Sequence, residues 1–396
     1  MLPTRSHYIH AAVITVIVLL FISLMKLFTL KVHYFDPFSS RLQDYEVTDI
    51  LFSQLRDTAR VKFVDEIIMV HVPKPDRAQM ADLIDKISDK GARVIGVDVL
   101  FPGRKDSLGD ARLAQSLRGR DNIVLAANLM QYDPATDSIS GMITSDSLFA
   151  LGSINAYTNF LASTNRTVRL FTPWLKTSGG VRQQAFATAI AGVYDPNLLH
   201  RMRRRGGRSE RINYVGDFRS FIRKDIDEVL RADSPDYFRG RIVLIGYAHS
   251  TAVDAPLEDR YYTPLNRFYT GRSIPDMYGM TIHANIIKMI IDGNWIRELP
   301  KLLVYLITVV FTFLNVLLIQ RIYHRLPDVF HGVTRLLQIA EAILLFLLVA
   351  ICFTAFDVKL ELGIALLAML MVYDFVMIYE NLIRKRIPYL KDLDYD

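Results

Sequence analysis

The sequence has little cysteine and none of the strong catalytic signatures. Its 396 residues include one cysteine, Cys352, which excludes a disulfide framework and a cysteine-based metal site within one chain. It contains no GxxxxGK[ST], GxGxxG, HExxH or GxSxG pattern, so the enzyme classes that these motifs mark are not indicated. The stretch "IGYAHSTAVD" follows a predicted strand, but it lacks the glycines that let backbone amides converge on a phosphate. We therefore expect a non-enzymatic protein without a metal or cofactor.

Charged residues are scarce in four long apolar segments, in a chain that is 51% hydrophobic. Residues 11–25 carry no charge, and with their apolar flanks they are long enough to cross a bilayer, as are 302–320, 336–356 and 360–378. The bulky "KLFTLKVHYF" after the first segment lacks the small residues of a signal-peptide cleavage site. The sequence predicts four transmembrane helices, one N-terminal and uncleaved, and three C-terminal.

The basic residues beside these segments predict their orientation. Arginines and lysines lie at Arg5, between residues 321 and 335, and between 384 and 391. By the positive-inside rule both termini are cytoplasmic and the main domain is outside. A domain of this size without disulfides suits a bacterial periplasm. We expect a multi-pass protein of the bacterial inner membrane, divided as follows: 1–30, tip and first helix; 31–299, periplasmic domain; 300–380, three helices; 381–396, cytoplasmic tail.

A second concentration of positive charge, "RMRRRGGR" at 201–208, lies in the external region of a chain whose net charge is +6. It lacks the interleaved aromatic residues of a nucleic-acid surface and lies in the wrong compartment, so we expect no nucleic acid among the partners. It is predicted to be a solvated loop near anionic lipid or a partner.

Residues 64–248 alternate between patterns typical of strands and of helices. Apolar runs predict strands at 64–72, 92–101, 122–129, 211–215 and 240–248. Amphipathic runs predict helices at 74–91, 109–120, 181–193 and 224–232. Residues 154–160 and 167–174 are predicted to pair as a hairpin. This order indicates an α/β fold with a mainly parallel sheet flanked by helices.

Two carboxylates follow predicted strands. Asp98 lies within the apolar run "VIGVDVLF", and Asp254 follows the strand that ends near Gly246. Ligands of open α/β sheets bind at the carboxyl ends of the strands, so the two acids would suit a cation, a basic ligand or acid–base chemistry. The alternative is that each carboxylate only accepts hydrogen bonds from neighbouring backbone amides.

His283 lies near the middle of the apolar face of a predicted helix at 276–295. Three interpretations stay open. The first is a hydrogen-bonded core histidine, bonded to Asp98 or Asp254. The second is a switch whose charge changes near neutral pH. The third is a zinc site shared with His249 and the two acids, although no spacing motif supports it.

Two acidic residues fall within predicted membrane helices. Glu341 and Asp374 lie a few residues from arginines on the cytoplasmic side. Acids that face lipid are costly and usually face other helices. Either they reach the inner interface, or they mark the position at which a partner helix docks.

Several of these stretches, in the same order, resemble the CHASE type 2 domain, a bacterial extracytoplasmic sensor module. The matching stretches are "VIGVDVLF", "GRIVLIGYAHSTAVD", "YTP" and "GMTIHANIIKMIIDGNWI" before a membrane bundle. The residues that match the family's pattern are Asp98, Phe101, Gly246, Asp254, Thr263, Pro264, Gly279, His283, Ala284 and Asn285, with Arg166 and Arg169 more loosely. The resemblance implies that ligand-binding or coupling residues are among Asp98, Phe101, Gly246, Asp254, Thr263, His283 and Asn285.

Members of this family usually carry a fused kinase or cyclase behind the last helix, whereas residues 379–396 here are too few to fold alone. We therefore expect a sensor that relays to other membrane or periplasmic subunits. The alternative is a structural or docking subunit of an envelope complex. A homo-oligomer stays open, although no coiled coil would enforce one.

Overall fold

The computed structural model describes residues 5–29, 46–55, 63–133, 135–161, 167–207, 209–231, 237–248, 259–266, 274–387 and 390. The chain forms two compact units, Glu46–Ile296 and the combination of Met1–Tyr45 with Arg297–Asp396. We call the first the α/β unit and the second the helical unit.

The α-helices are α1 (Arg5–Thr29), α2 (Val47–Ile50), α3 (Arg77–Asp89), α4 (Ser107–Leu117), α5 (Ser147–Ala150), α6 (Phe186–Tyr194), α7 (Pro196–Arg204), α8 (Ile226–Arg231), α9 (Gly279–Asp292), α10 (Lys301–Arg325), α11 (Phe330–Phe356), α12 (Gly363–Ile378) and α13 (Arg384–Arg386). The strands are β1 (Val64–His71), β2 (Val94–Val97), β3 (Ile123–Asp133), β4 (Ser138–Ile143), β5 (Ile154–Tyr157), β6 (Leu170–Phe171), β7 (Trp174–Thr177), β8 (Arg182–Gln184), β9 (Glu210–Arg211), β10 (Phe221–Asp225), β11 (Ile242–Gly246), β12 (Arg260–Tyr261), β13 (Met277–Tyr278), β14 (Arg297–Glu298) and β15 (Val358–Lys359).

Four helices are long and apolar enough to cross a membrane: α1, α10, α11 with the turn before it, and α12 with its continuation to Arg386. This confirms the predicted arrangement of one N-terminal and three C-terminal apolar helices. Buried side chains of α1, α10 and α12 form one apolar cluster that includes Ile14, Val316 and Val372. The helical unit is therefore held together mainly by these three helices.

A nine-stranded sheet forms the centre of the α/β unit, in the order β10-β1-β11-β2-β3-β4-β7-β8, with β5 also paired to β3. The pairs of β1 with β10 and β11, of β2 with β11 and β3, and of β3 with β5 are parallel. The predicted α/β fold with a mainly parallel sheet is therefore confirmed.

Helices cover both faces of this sheet. On one face, Ile68 of β1, Ile95 of β2 and Val243 of β11 share a buried cluster with side chains of α3 and α4. Residues one position along each strand point to the other face, where α6 and α9 pack. Gly96 of β2 illustrates the closeness of α6, because a Cβ at this position would lie 2.5 Å from Cδ1 of Ile190.

Some predicted elements are wrong. Residues 154–160 and 167–174 do not form a hairpin, since β5 pairs with β3 and β6 pairs with β9. Alternation of apolar residues identifies a strand but not its partner, which here is supplied by a distant part of the chain. The predicted helix at 181–193 begins only at Phe186, after the short strand β8.

The structure also contradicts the prediction that the whole basic run at 201–208 is a loop. Its first four residues belong to α7, which begins with Pro196 at its first turn and with the side chain of Asp195 accepting a hydrogen bond from the backbone of Asn197. Proline is favoured at this position because its missing N–H would be unpaired anyway. Leu198 and Met202, four residues apart, are buried on one side of the helix, and this spacing is the helical signal that the arginines obscured.

Candidate functional site

The candidate site lies at the carboxyl edge of the parallel strands β1, β11 and β2. His71 of β1 pairs with Gly246 of β11, and the backbone N–H of Asp98, the residue after β2, donates to the carbonyl of Ile245 at 2.7 Å. Three neighbouring strands thus end at one level. Carboxyl edges of this kind are where open α/β sheets bind ligands.

Gly246 brings Asp98 and α9 together at this edge. A Cβ on Gly246 would lie 3.1 Å from Cβ of Asp98 and 3.2 Å from Sδ of Met280, in the first turn of α9. A second glycine, Gly279, allows a similar approach, because a Cβ there would lie 3.4 Å from Cε2 of Tyr261. Both glycines lack a side chain where the strand ends meet the beginning of α9, so larger residues would separate these groups.

Asp98 is the carboxyl group of this edge whose pKa is raised most. Burial, with a smaller contribution from the nearby Asp259, raises the pKa of Asp98 to about 7. Burial, and then the charges of Asp259 and Asp98, also raise the pKa of Tyr261. A carboxyl group with this pKa exchanges its proton near neutral pH, and it is able to accept a cation or a hydrogen-bond donor.

Aromatic rings border the same edge. The rings of His71 and Tyr247 lie 5.1 Å apart and those of Tyr247 and Tyr278 lie 5.5 Å apart, both edge-to-face. The guanidinium of Arg260 lies 5.0 Å from the centre of the Tyr278 ring. The backbone N–H of Ala248 donates to Nδ1 of His71 at 3.1 Å, which makes this nitrogen an acceptor. The edge therefore combines carboxyl groups with aromatic faces and hydroxyl groups.

His283 is buried behind this edge with only 3% of its surface exposed. Its ring stacks on Phe160 at 4.8 Å and meets Phe186 edge-to-face at 5.2 Å. Burial lowers its pKa to about 3, against a smaller opposing effect of a hydrogen bond with the backbone of Thr158. Among the described residues no hydrogen bond or ion pair joins His283 to Asp98, and its Nδ1 has no hydrogen-bond partner. These contacts favour a neutral core histidine over a switch near neutral pH.

Asn285 holds a loop against α9. Its Oδ1 accepts from the backbone N–H groups of Val215 and Gly216 at 2.8 and 3.2 Å, and its Nδ2 donates to the carbonyls of Gly216 and Thr281, each at 2.9 Å. The side chain is fully buried and all its hydrogen-bonding capacity is used. Asn285 therefore positions α9, and these bonds leave it no group with which to bind a ligand.

Thr263 and Phe101 also have contacts within the unit. The backbone N–H and the hydroxyl of Thr263 both donate to the carboxylate of Asp276, whose pKa burial raises to about 6 despite these bonds. Phe101 lies in the core 5.8 Å from the Phe149 ring, and its backbone N–H donates to the hydroxyl of Ser145. Both residues build the loops around the edge.

A family model for the CHASE2 domain matches residues 12–319, more than half of the chain. The protein belongs to the CHASE2 domain family. This confirms the resemblance inferred from the sequence, and CHASE2 is a family of extracellular sensor domains. No curated protein and no solved structure matches the chain. Together with the four apolar helices, membership of this family supports a multi-pass membrane protein with an extracytoplasmic sensor domain.

Several predicted site residues of this CHASE2 protein are placed elsewhere or are not described. Asp254, His249 and Arg166 lie outside the described residues. Arg169 is buried, and its Nε donates to Oδ1 of Asp49 at 3.0 Å. In the part of the chain that the structure describes, no group of three or more histidine, cysteine or acidic residues is arranged to hold a metal ion.

The two membrane acids have different surroundings. Nδ2 of Asn315 in α10 donates to the carboxylate of Glu341 in α11 at 2.6 Å, so Glu341 faces another helix of the same unit. Oδ1 of Asp374 lies 3.6 Å from Nη2 of Arg335. Both side chains are more than half exposed, Asp374 at 56% and Arg335 at 53%.

Sequence reasoning missed His71, Tyr247, Asp259 and Tyr261. His71 and Tyr247 directly end or follow strands, so a search of all strand ends for polar residues would have found them. Asp259 and Tyr261 lie in a segment without the periodic apolar pattern of a helix or a strand. Only the folding of the chain brings them near Asp98.

Proposed function

We propose that this protein is a non-enzymatic sensor of a bacterial inner membrane, with its α/β unit in the periplasm and both termini in the cytoplasm. Its α/β unit binds a small ligand at the carboxyl edge, and it relays binding through the membrane helices to partner subunits. The observation that carries the proposal is the close approach of Asp98 to the first turn of α9, which Gly246 permits. A ligand that binds Asp98 would change the contact between the strand edge and the first turn of α9.

The chain itself suggests the relay. Helix α9 is 14 residues long and begins at the edge, so it extends about 20 Å at 1.5 Å per residue. It ends at Gly293 in the left-handed conformation, and the first C-terminal membrane helix, α10, begins at Lys301. Most residues of α9 are buried, and packed helices move as rigid bodies between discrete arrangements. We expect that ligand binding shifts α9 and so biases the membrane helices.

The side chains at the edge indicate the chemical class of the ligand. A carboxyl group beside a second acid, Asp259, favours a ligand with positive charge or hydrogen-bond donors, and aromatic faces favour an organic cation over a bare metal ion. A basic amino acid or a polyamine fits this description.

Thermal unfolding of the full-length protein in detergent tests this binding, with arginine, spermidine and calcium chloride as probes. We expect stabilisation by an organic cation in the wild type and its loss in Asp98→Asn. Asp121→Asn is the matched control, since Asp121 is exposed and precedes β3 at the opposite edge of the sheet. Stabilisation that persists in Asp98→Asn would refute the assignment of the site.

The relay requires a partner, which affinity purification in mild detergent would identify. We expect at least one membrane protein to copurify in stoichiometric amount. Recovery of the protein alone at every detergent concentration would contradict a relay to other subunits.

A docking subunit of an envelope complex is the second candidate, and the exposed pair of Arg335 and Asp374 favours it, because charges that face lipid are costly. The variant Arg335→Gln/Asp374→Asn distinguishes the two candidates. If the partner is lost while the cation still stabilises the α/β unit, the pair is a docking site. If binding of cation and partner depend on each other, the protein is a sensor.

A further inference from the structure

Helix α7 is a strongly basic amphipathic helix on the surface of the α/β unit. Leu198 and Met202 are buried on its inner side, with 3% and 2% exposure. Its outer side and the turn that follows carry Arg201, Arg203, Arg204 and Arg205. All four arginines are exposed to solvent, so the helix presents charge rather than burying it.

Most of this charge has no close acidic partner among the residues that the structure describes. Arg203 and Arg204 form no ion pair with any described residue, and Arg201 is 4.0 Å from Asp195 with 63% of its side chain exposed. Arg205 alone has a close pair, with both oxygens of Glu210 at 2.8 and 2.9 Å. Arg203 and Arg204 therefore lack a described acidic partner, and Arg201 has only a distant and largely exposed one.

Two tryptophans, the only ones in the chain, lie against this segment. The guanidinium of Arg205 lies 4.5 Å from the centre of the Trp295 ring. A Cβ on Gly207 would lie 3.5 Å from Cε3 of Trp174. Tryptophan is typical of the membrane–water interface, where its ring sits at the level of the lipid headgroups.

The chain itself limits how far this surface can be from a membrane. Trp295 precedes Lys301, the first residue of the membrane helix α10, by only six residues. Six residues span at most about 20 Å when fully extended, and the headgroup layer adds about 5–8 Å on each side of the hydrocarbon core. Trp295 is therefore tethered within about 20 Å of the start of α10, and Arg205, whose guanidinium contacts the Trp295 ring, shares this tether.

We propose that α7, through Arg201, Arg203 and Arg204 beside Trp295, is a docking surface for anionic phospholipid headgroups. Clustered arginines next to a membrane helix attract anionic lipids, and each contributes about fivefold to attachment. Binding would hold the α/β unit in one orientation relative to the bilayer. The proposal does not rest on ligand binding at the carboxyl edge.

Quenching of Trp295 by a headgroup spin label tests the docking surface. The full-length Trp174→Phe variant, in which Trp295 is the only tryptophan, is placed in nanodiscs of phosphatidylcholine or of equal parts phosphatidylcholine and phosphatidylglycerol. We expect stronger quenching in the anionic discs and loss of the difference in about 1 M salt, where the Debye length is about 3 Å. The variant Arg201→Gln/Arg203→Gln/Arg204→Gln is expected to lose nearly all of the additional quenching.

A matched control removes the same charge elsewhere in the α/β unit: Lys74→Gln/Lys105→Gln/Arg118→Gln, three exposed residues away from α7. This control is expected to keep the additional quenching, and circular dichroism verifies that both triple variants fold. Equal quenching in neutral and anionic discs would overturn the proposal, because the tether alone would then set the position of Trp295. An equal loss in the control would also overturn it, since net charge and not α7 would be responsible.

Discussion

Replacement of His283 by phenylalanine is expected to change how the stability of the α/β unit depends on pH. His283 is buried between Phe160 and Phe186, and burial lowers its pKa to about 3 from the 6.5 of an unperturbed histidine. None of its described contacts is with a titratable side chain. The folded unit therefore keeps the ring neutral, whereas the unfolded chain takes up a proton as pH falls below 6.5.

The size of the effect follows from this difference in pKa. A depressed histidine pKa means that the unfolded state binds more protons below pH 6.5, so stability falls as the solution becomes acidic. Relative to pH 8, the loss is about 2 kcal/mol at pH 5 and about 3 kcal/mol at pH 4. For a unit of this size, about 2 kcal/mol corresponds to a shift of about 4–8 °C in Tm.

Two carboxyl groups act in the opposite direction. Burial raises the pKa of Asp98 to about 7 and that of Asp276 to about 6, so the folded unit binds protons that the unfolded chain, with ordinary carboxyl pKa values, releases above about pH 4. The stability that each protonated carboxyl group contributes to the folded unit is therefore lost as pH rises through its folded-state pKa. The pH dependence of the wild type is therefore a sum, and only its difference from His283→Phe isolates the histidine.

Urea unfolding of the full-length protein in detergent measures this difference. Both tryptophans, Trp174 and Trp295, lie in the α/β unit, so their fluorescence follows its unfolding and not that of the helical unit. We expect the free energy of unfolding of His283→Phe, relative to wild type, to rise by about 2 kcal/mol between pH 8 and pH 5. His200→Gln, which changes an exposed histidine of α7, is the control and is expected to show no such rise. Parallel curves for wild type and His283→Phe would refute the reasoning, because the ring would then titrate equally in both states.

Three further changes test the packing around the edge. Asn285→Leu leaves backbone groups of the half-buried residues Val215 and Gly216 without their partner and is expected to destabilise the unit by about 3–5 kcal/mol in the same assay; a loss below about 1 kcal/mol would mean that water replaces the amide. Gly96→Ala is expected to cost about 1–3 kcal/mol because its Cβ meets Ile190, and Ile190→Ala should cost less in the Gly96→Ala background than in the wild type; additive losses would contradict the steric cause. Asp98→Asn is expected to be more stable than wild type by about 3–4 kcal/mol at pH 8, because the folded-state pKa of Asp98 is about 7, and to lose most of that advantage near pH 4; an advantage that persists in acid would show that charge is not its source.

The central strands could be predicted from the sequence because they are buried on both faces, and their residues are therefore apolar. Runs such as 242–246 are apolar at every position, which is typical of parallel strands under two layers of helices. The outer part of the sheet was not predicted. Strands β4, β7 and β8 are partly exposed, and their pairing depends on distant residues that no local pattern identifies.

The candidate site was predicted only in outline for a similar reason. Asp98 stood out because a carboxyl group in an apolar run requires an explanation. His283 also stood out, but a position on an apolar helix face does not reveal whether an acid or a phenylalanine lies opposite. The ring of Phe160 comes from the loop after β5, whose path depends on the parallel pairing of β5 with β3. The prediction that His283 bonds to Asp98 therefore failed, because only tertiary structure shows that phenylalanine rings lie against His283.

The residues that match the CHASE2 pattern and those that carry chemistry at the edge are largely different sets. Gly246 and Gly279 provide space, and Asn285 fixes a loop to α9; none of them offers a free group to a ligand. Asp98 belongs to both sets, but it is surrounded by residues outside the pattern, such as Tyr261. The pattern therefore specifies a scaffold that brings strand ends to the first turn of a helix, while in the proposed binding of a cation the side chains around Asp98 would determine its specificity. On this argument, substitutions at Tyr261 should change which cation binds, and substitutions at Gly246 should abolish binding of every cation.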